Sequence, residues 1–179
     1  MQLRDNGLHF GIVTVVCHWL GFGLIMAFIT CAFWTAGGET HEVAFRRDLT
    51  MSFGALVLPL YTFRLYWRII SFHPAPLGGA NPAQVLVGRG VALGMILAGV
   101  VLPVLYWAKE AQVGAGLSAF GISMPSFTTE PGIVVASLFW LGTVAFLLGF
   151  FLHIFGAFNH QYVLKDESLK RLAGRKIEL

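Results

Sequence analysis

The sequence predicts an all-α fold: an integral membrane four-helix bundle with both termini in the cytoplasm. Three observations carry this reading. Hydrophobic residues make up 56% of the 179 residues and charged residues only 12%, about half the charged share of a soluble domain, roughly 25%. Four long apolar runs follow one another along the chain. The basic residues gather at one set of span ends. With a mean hydropathy of +0.73, a water-soluble globule of this size could not hide its apolar surface. A soluble enzyme, a disordered chain and a nucleic-acid-binding module are thereby excluded. The net charge of +3 does not bring nucleic acid back, because the cations sit in separate segments at span ends, as membrane topology requires.

The first helix is expected near residues 10–35. No formally charged residue lies between Asp5 and Glu39, a stretch longer than the roughly 20 residues that cross a bilayer. It is too long for a signal-peptide h-region and has no clear A-x-A cleavage site, so it reads as a span. The second helix is expected at 49–71, from Leu49 through Arg64 and Arg68. These two arginines are four residues apart on one face and can snorkel to the near interface. The linker Ser71 to Val87 holds Pro74, Pro76, Gly78, Gly79 and Pro82 and reads as loop. A third run, free of charge from Gly90 to Ala108, gives a helix at 88–108. The segment from Glu110 to Pro131 is Gly- and Ser-rich, with an apolar piece, Ala119-Phe120-Gly121-Ile122, suited to the interface. The fourth helix is expected at 131–162. Pro59 and Pro103 fall inside spans, where kinks are tolerated. No repeat or separate soluble domain is evident, so residues 1–179 read as one transmembrane domain.

Four spans put both termini on one side. That side holds Arg4, Arg64, Arg68, Arg89, Lys165, Lys170, Arg171, Arg175 and Lys176, against Arg46, Arg47 and Lys109 opposite. The nine-to-three bias places the termini in the cytoplasm by the positive-inside rule. The outer side is then periplasmic, and the location is a bacterial inner membrane. Cys17 and Cys31 lie fourteen residues apart in the first helix, about 21 Å along the axis, too far for a disulfide. No C-x-x-C-H occurs, which excludes covalent haem attachment.

Ionisable groups inside a bilayer are functional-site hypotheses by default. His18 lies nine residues after His9, and His153 nine residues before Tyr162. On antiparallel helices both then sit about 13 Å in from those markers. Small residues share their faces: Gly11, Thr14 and Gly21 around His18, and Gly149, Gly156 and Ala157 around His153. Two imidazoles at one depth with cleared space fit a porphyrin ligated from both sides. The competing reading is close helix packing with the histidines hydrogen-bonded inside the bundle. Arg64 and Arg68, with Arg89 opening the third helix, can serve the haem propionates, topology signalling being the alternative for each. His160 follows His153 by seven residues, about 10 Å further along the same face. It cannot ligate the same iron but can bind a propionate or a quinone headgroup. His9 and His73 read as interfacial or loop residues, and His41 as a poor ligand in the outer loop.

Read together, these segments resemble the bacterial cytochrome b561 family of small four-helix membrane haem proteins. Cys17-His18-Trp19-Leu20 resembles the family's first-helix His-Trp-Leu, and Arg64-Leu65-Tyr66-Trp67-Arg68 its basic end of the second helix. Leu102-Pro103-Val104 and Ala119 to Pro125 resemble the third helix and following loop. Leu152-His153, His160, Tyr162, Lys165-Asp166 and Arg171 resemble the C-terminal signature. The family typically binds two haems b, one toward each face. The resemblance implies that His18 and His153 ligate the cytoplasmic-side haem. The outer ligands would fall at Thr50 and Phe139, and the third-helix histidines of some members at Arg89 and Ala92. A one-haem variant is therefore expected, with Phe139, Trp140 and Phe53 filling the outer volume.

The expected function is electron transfer through a bis-His haem b to or from the quinone pool, with ubiquinone as a substrate. Superoxide or a dehydrogenase would supply the electrons, and a partner subunit or soluble donor the outer redox centre. The expected partners are membrane lipid, quinone and that donor. A structural membrane anchor with a vestigial or absent haem is the alternative. A small transporter fits poorly, because the spans lack a central carboxylate or charge pair.

Overall fold

A computed structural model of the chain describes residues 2–7, 9–37, 40–72, 81–111, 116–126, 133–166 and 168–172, with the side chains of residues 40, 41 and 171 left aside. Four long helices dominate: α1 (Ile12–Ala36), α2 (Thr40–Ile70), α3 (Pro82–Glu110) and α4 (Ile133–Phe158). A short hairpin, β1 (Leu117–Ala119) and β2 (Ile122–Met124), lies between α3 and α4. A π-helical turn (Asn159–Val163) continues α4, and a last short helix, α5, covers Ser168–Leu172.

Hydropathy places the second helix at 49–71 and the third at 88–108, and the structure lengthens both toward their N-termini. The polar residues 40–48 carry no apolar run, yet they form the first turns of α2. Glu42 sits in its first turn, where the helix dipole favours an acid. Arg46 pairs with Glu42 one turn back and lies over the Trp34 ring, 4.5 Å from its centre. Arg46 and Arg47 are therefore helical residues, not loop residues, and Arg47 is buried at 7% exposure. In the same way Lys109 and Glu110 end α3 instead of opening a loop. The 71–87 linker is helical from Pro82: Asn81 caps α3 through its side-chain oxygen, which accepts from the Ala83 N–H at 2.9 Å, and Pro82 takes the first position. The first helix begins at Ile12, and the described part of the fourth begins at Ile133, residues 131 and 132 lying outside the described residues.

The apolar 119–122 piece belongs to the hairpin, in which Leu117 faces Met124 and Ala119 faces Ile122. Phe120 and Gly121 both take left-handed φ, 52° and 75°, the pattern of a type I′ turn. The Ser118 hydroxyl donates to Asp48 at 2.8 Å and the Phe120 N–H to Ser52 at 2.9 Å, which ties the hairpin to α2.

Among the described residues, three helices are long and apolar enough to cross a membrane: Ile12–Ala36, Pro82–Glu110 and Ile133–Val163. α2 is as long but carries charge toward both ends. Along α4, Leu141, Val144, Leu148, Phe151 and Phe155 recur at three- and four-residue steps and are all exposed, Phe155 at 72%. An apolar stripe of this length turned outward requires a lipid surrounding.

The chain divides into two compact units. One comprises Met1–Leu20, Phe63–Leu97 and Phe146–Leu179; the other comprises Gly21–Thr62 and Ala98–Ala145. The second holds the dense core. The largest fully buried side chains of the described residues, including Tyr106, Phe28, Phe139, Ile25, Leu102 and Val57, all belong to it. In the first unit only Ile96 and Phe146 are buried large hydrophobics among the described residues.

Candidate functional site

The sparsely packed unit holds both intramembrane histidines. His18 is six residues into α1 and His153 five from the end of α4. Their ring centres are 6.1 Å apart and their planes tilted by 49°. Among the described residues neither ring makes a hydrogen bond, so the pair is not the hydrogen-bonded packing that the competing reading requires. Metal–imidazole bonds are about 2.0–2.1 Å long, so two rings that share one metal would have centres several ångströms apart. The observed spacing fits one metal between the two. Among the described residues no three His, Cys, Asp or Glu side chains converge on a metal site. His18 and His153 are the residues that could hold a haem iron here, and a haem would supply one-electron chemistry.

The surroundings divide the residues expected around this pair. Arg64 is the cation whose field reaches both rings. Arg68 lies instead within the field of Arg89 as well as Arg64 and shares a cleft with Arg89. A side chain at Gly156 would meet nothing within 4 Å, so the space there is open. Gly149 instead accommodates α3, since a Cβ would stand 3.6 Å from Met95 and 3.8 Å from Val91. Gly21 falls in the other unit, where its carbonyl accepts from the Tyr61 hydroxyl at 3.2 Å. His160 sits on the π-helical turn, so an α-helical count from His153 does not carry through it. Its Nδ1 meets the Asp166 carboxylate at 2.5 Å, an acid partner that competes with a propionate. His73 lies outside the described residues, as does the His41 side chain.

Two supports were not read from the sequence. The Thr14 hydroxyl, one turn before His18, donates to Asp5 at 2.9 Å and accepts from the Trp67 indole at 3.0 Å. Asp5 also accepts from the Gly11 N–H at 2.6 Å, which caps α1 ahead of His18. At Gly11 a Cβ would stand only 2.5 Å from the Leu3 carbonyl oxygen, so this return of the chain needs glycine. The signal for both was present: an acid six residues before a glycine, and a tryptophan inside a basic motif.

In the other unit, the positions assigned to outer ligands are filled. Phe139 is fully buried, with ring centres 5.3 Å from Tyr106, 6.3 Å from Phe28 and 5.0 Å from Trp140. Phe28 takes the place expected for Phe53, which is half-buried and outside the ring cluster among the described residues.

An outward-apolar helical fold with paired, unbonded imidazoles defines a membrane cytochrome class. The chain matches the prokaryotic cytochrome b561 family over residues 9–175 and belongs to it. It is 25% identical to cytochrome b561 homolog 2 of Escherichia coli (strain K12) over 182 aligned positions, covering 98% of this chain and 96% of that protein. Family membership makes it a bacterial membrane b-type cytochrome of electron transfer, and it implies haem b.

Proposed function

We propose that the chain is a four-span inner-membrane cytochrome, both termini cytoplasmic, that holds one haem b between His18 and His153 and exchanges electrons with the quinone pool. The unequal packing of the two units carries this reading: the unit with the histidines has few buried large side chains, whereas the other is filled by aromatic rings. Bound haem b would supply one-electron redox chemistry, without an open iron position for oxygen. His18 and His153 hold it from α1 and α4. Arg64 offsets the propionate charge, and the Gly156 opening leaves room beside the ring. Lacking a second haem in the filled unit, the chain takes outer electrons from a partner subunit or soluble donor, or works from the quinone layer alone.

The test is a reduced-minus-oxidised spectrum of the purified protein with a pyridine haemochrome count. One haem b per chain, lost in His18→Ala and in His153→Ala, is expected. Two per chain would overturn the one-haem reading. The filled outer site also favours a structural anchor without haem, and none per chain would favour that reading.

A further inference from the structure

Leu65, Arg68 and Ile69 stand at steps of three and four on α2, and Arg89 and Leu93 four apart on α3. Together they line one cleft of about 380 Å³ in the unit that holds the histidines. Its walls are apolar and its two polar groups are guanidinium ions. Arg64 adds a third positive field on Arg68. Among the described residues no acid pairs with Arg68 or Arg89. Arg89 lies seven residues into α3, about 10 Å along it, so it is well inside the helix and not in the preceding loop. Ile69 at 76% and Leu93 at 39% exposure open the cleft outward.

Topology signalling needs cations near span ends but does not need two helices to converge them on one apolar-walled cleft. Arg64, whose field reaches both histidine rings, is the arginine that the proposed haem site would use for propionates. Converging guanidinium groups repel one another unless an anion lies between them. A phosphate is the anion whose oxygens match the guanidinium fork, and the apolar walls suit acyl chains. Basic clefts between spans hold anionic lipid headgroups. We propose that the Arg68–Arg89 cleft is a binding site for an anionic phospholipid, its phosphate between the two guanidinium groups and an acyl chain along Leu65 and Leu93. The proposal does not depend on haem.

The experiment is native mass spectrometry of the full-length protein, titrated with dioleoylphosphatidylglycerol and, separately, with dioleoylphosphatidylcholine. The wild type is expected to retain one phosphatidylglycerol at least tenfold more tightly than phosphatidylcholine. The double variant R68Q/R89Q is expected to lose that preference with its helical circular dichroism unchanged. Leu93→Trp, which fills the cleft and keeps both charges, is expected to weaken phosphatidylglycerol similarly. It carries the test if the double variant does not fold. Retention of the preference in these variants overturns the proposal. So does equal displacement of the lipid by inorganic phosphate, which would make the cleft a free-anion site. Loss of haem from the double variant with lipid retained would assign the arginines to propionates and likewise overturn it.

Discussion

Thr50 and Thr35 lie with their hydroxyl oxygens 3.1 Å apart and share a hydrogen bond in a fully packed part of the protein. The two hydroxyls have one proton each, so one threonine donates to the other while its partner donates back to its own helix; the Cys31 carbonyl lies 2.8 Å from the Thr35 hydroxyl and the Arg46 carbonyl 2.8 Å from that of Thr50. At the position where the resemblance would put an outer ligand, the Thr50 hydroxyl is thus already engaged within the protein. Restoring histidines in Thr50→His with Phe139→His is expected to leave the haem count at one per chain, because Phe28 and Tyr106 still occupy the volume. A pyridine haemochrome ratio of two would refute this.

Phe139 packs against three other aromatic rings and is fully buried. Truncating a buried phenylalanine to alanine removes its transfer energy and leaves a cavity, which costs about 3–5 kcal/mol. Phe139→Ala is expected to lose stability in that range in a mixed-micelle unfolding titration. Its reduced haem spectrum should stay unchanged, since the histidine pair belongs to the other unit. An unchanged unfolding midpoint would contradict the packing argument.

Gly99 is the point of closest approach to Tyr61. A Cβ there would stand only 2.0 Å from the Tyr61 ring, so the ring must move, which disturbs the bond of its hydroxyl to the Gly21 carbonyl. Overpacking of this kind costs about 1–3 kcal/mol. Gly99→Ala is expected to destabilise by that amount, read from thermal unfolding. Tyr61→Phe, which loses only the hydrogen bond, should cost less than Gly99→Ala.

The C-terminal segment is expected to respond to acid. Burial alone would push the Asp166 carboxyl up, but hydrogen bonds from Ser168 and from His160 hold it below its ordinary value of 3.8. A carboxyl whose folded pKa lies below its unfolded one stabilises the fold above the unfolded value. That contribution is lost as pH falls through the folded pKa, so the window lies below about pH 4. Amide hydrogen exchange across residues 159–172 should be constant from pH 7 to 5, after correction for intrinsic rates. Protection should drop below pH 4, and Asp166→Asn should reproduce the loss at neutral pH. Equal protection in the variant would show that the pairing does not hold the segment.

Hydropathy made the apolar middles of the helices legible, because long uncharged runs have few competing explanations. It failed at residues 40–48, where helix is held by an ion pair, a cation over a ring and a first-turn acid instead of by apolar periodicity. It also failed at Asn81-Pro82, which was read as linker composition although a cap followed by proline is equally a helix start. His18 and His153 were legible as a pair because equal depth on antiparallel helices follows from residue counting alone. Which arginine stands by them was not legible. Arg64 and Arg68 share a helix face, and only the position of α3 separates the one near the rings from the one near Arg89. The π-helical turn hid the surroundings of His160 for a similar reason, since an α-helical count cannot anticipate a change of pitch.

The Trp19 indole N–H reaches the Leu172 carbonyl oxygen at 3.4 Å, and the same residue meets the His18 ring edge-on, 5.4 Å between centres. The far end of the chain is therefore tethered one residue from a proposed ligand. A protein that grips α5, or a tag that drags on it, pulls through one hydrogen bond and one ring contact on the imidazole of His18. A load on α5 is thus expected to reach the backbone beside His18, and the absorption bands of a haem held there would be its readout.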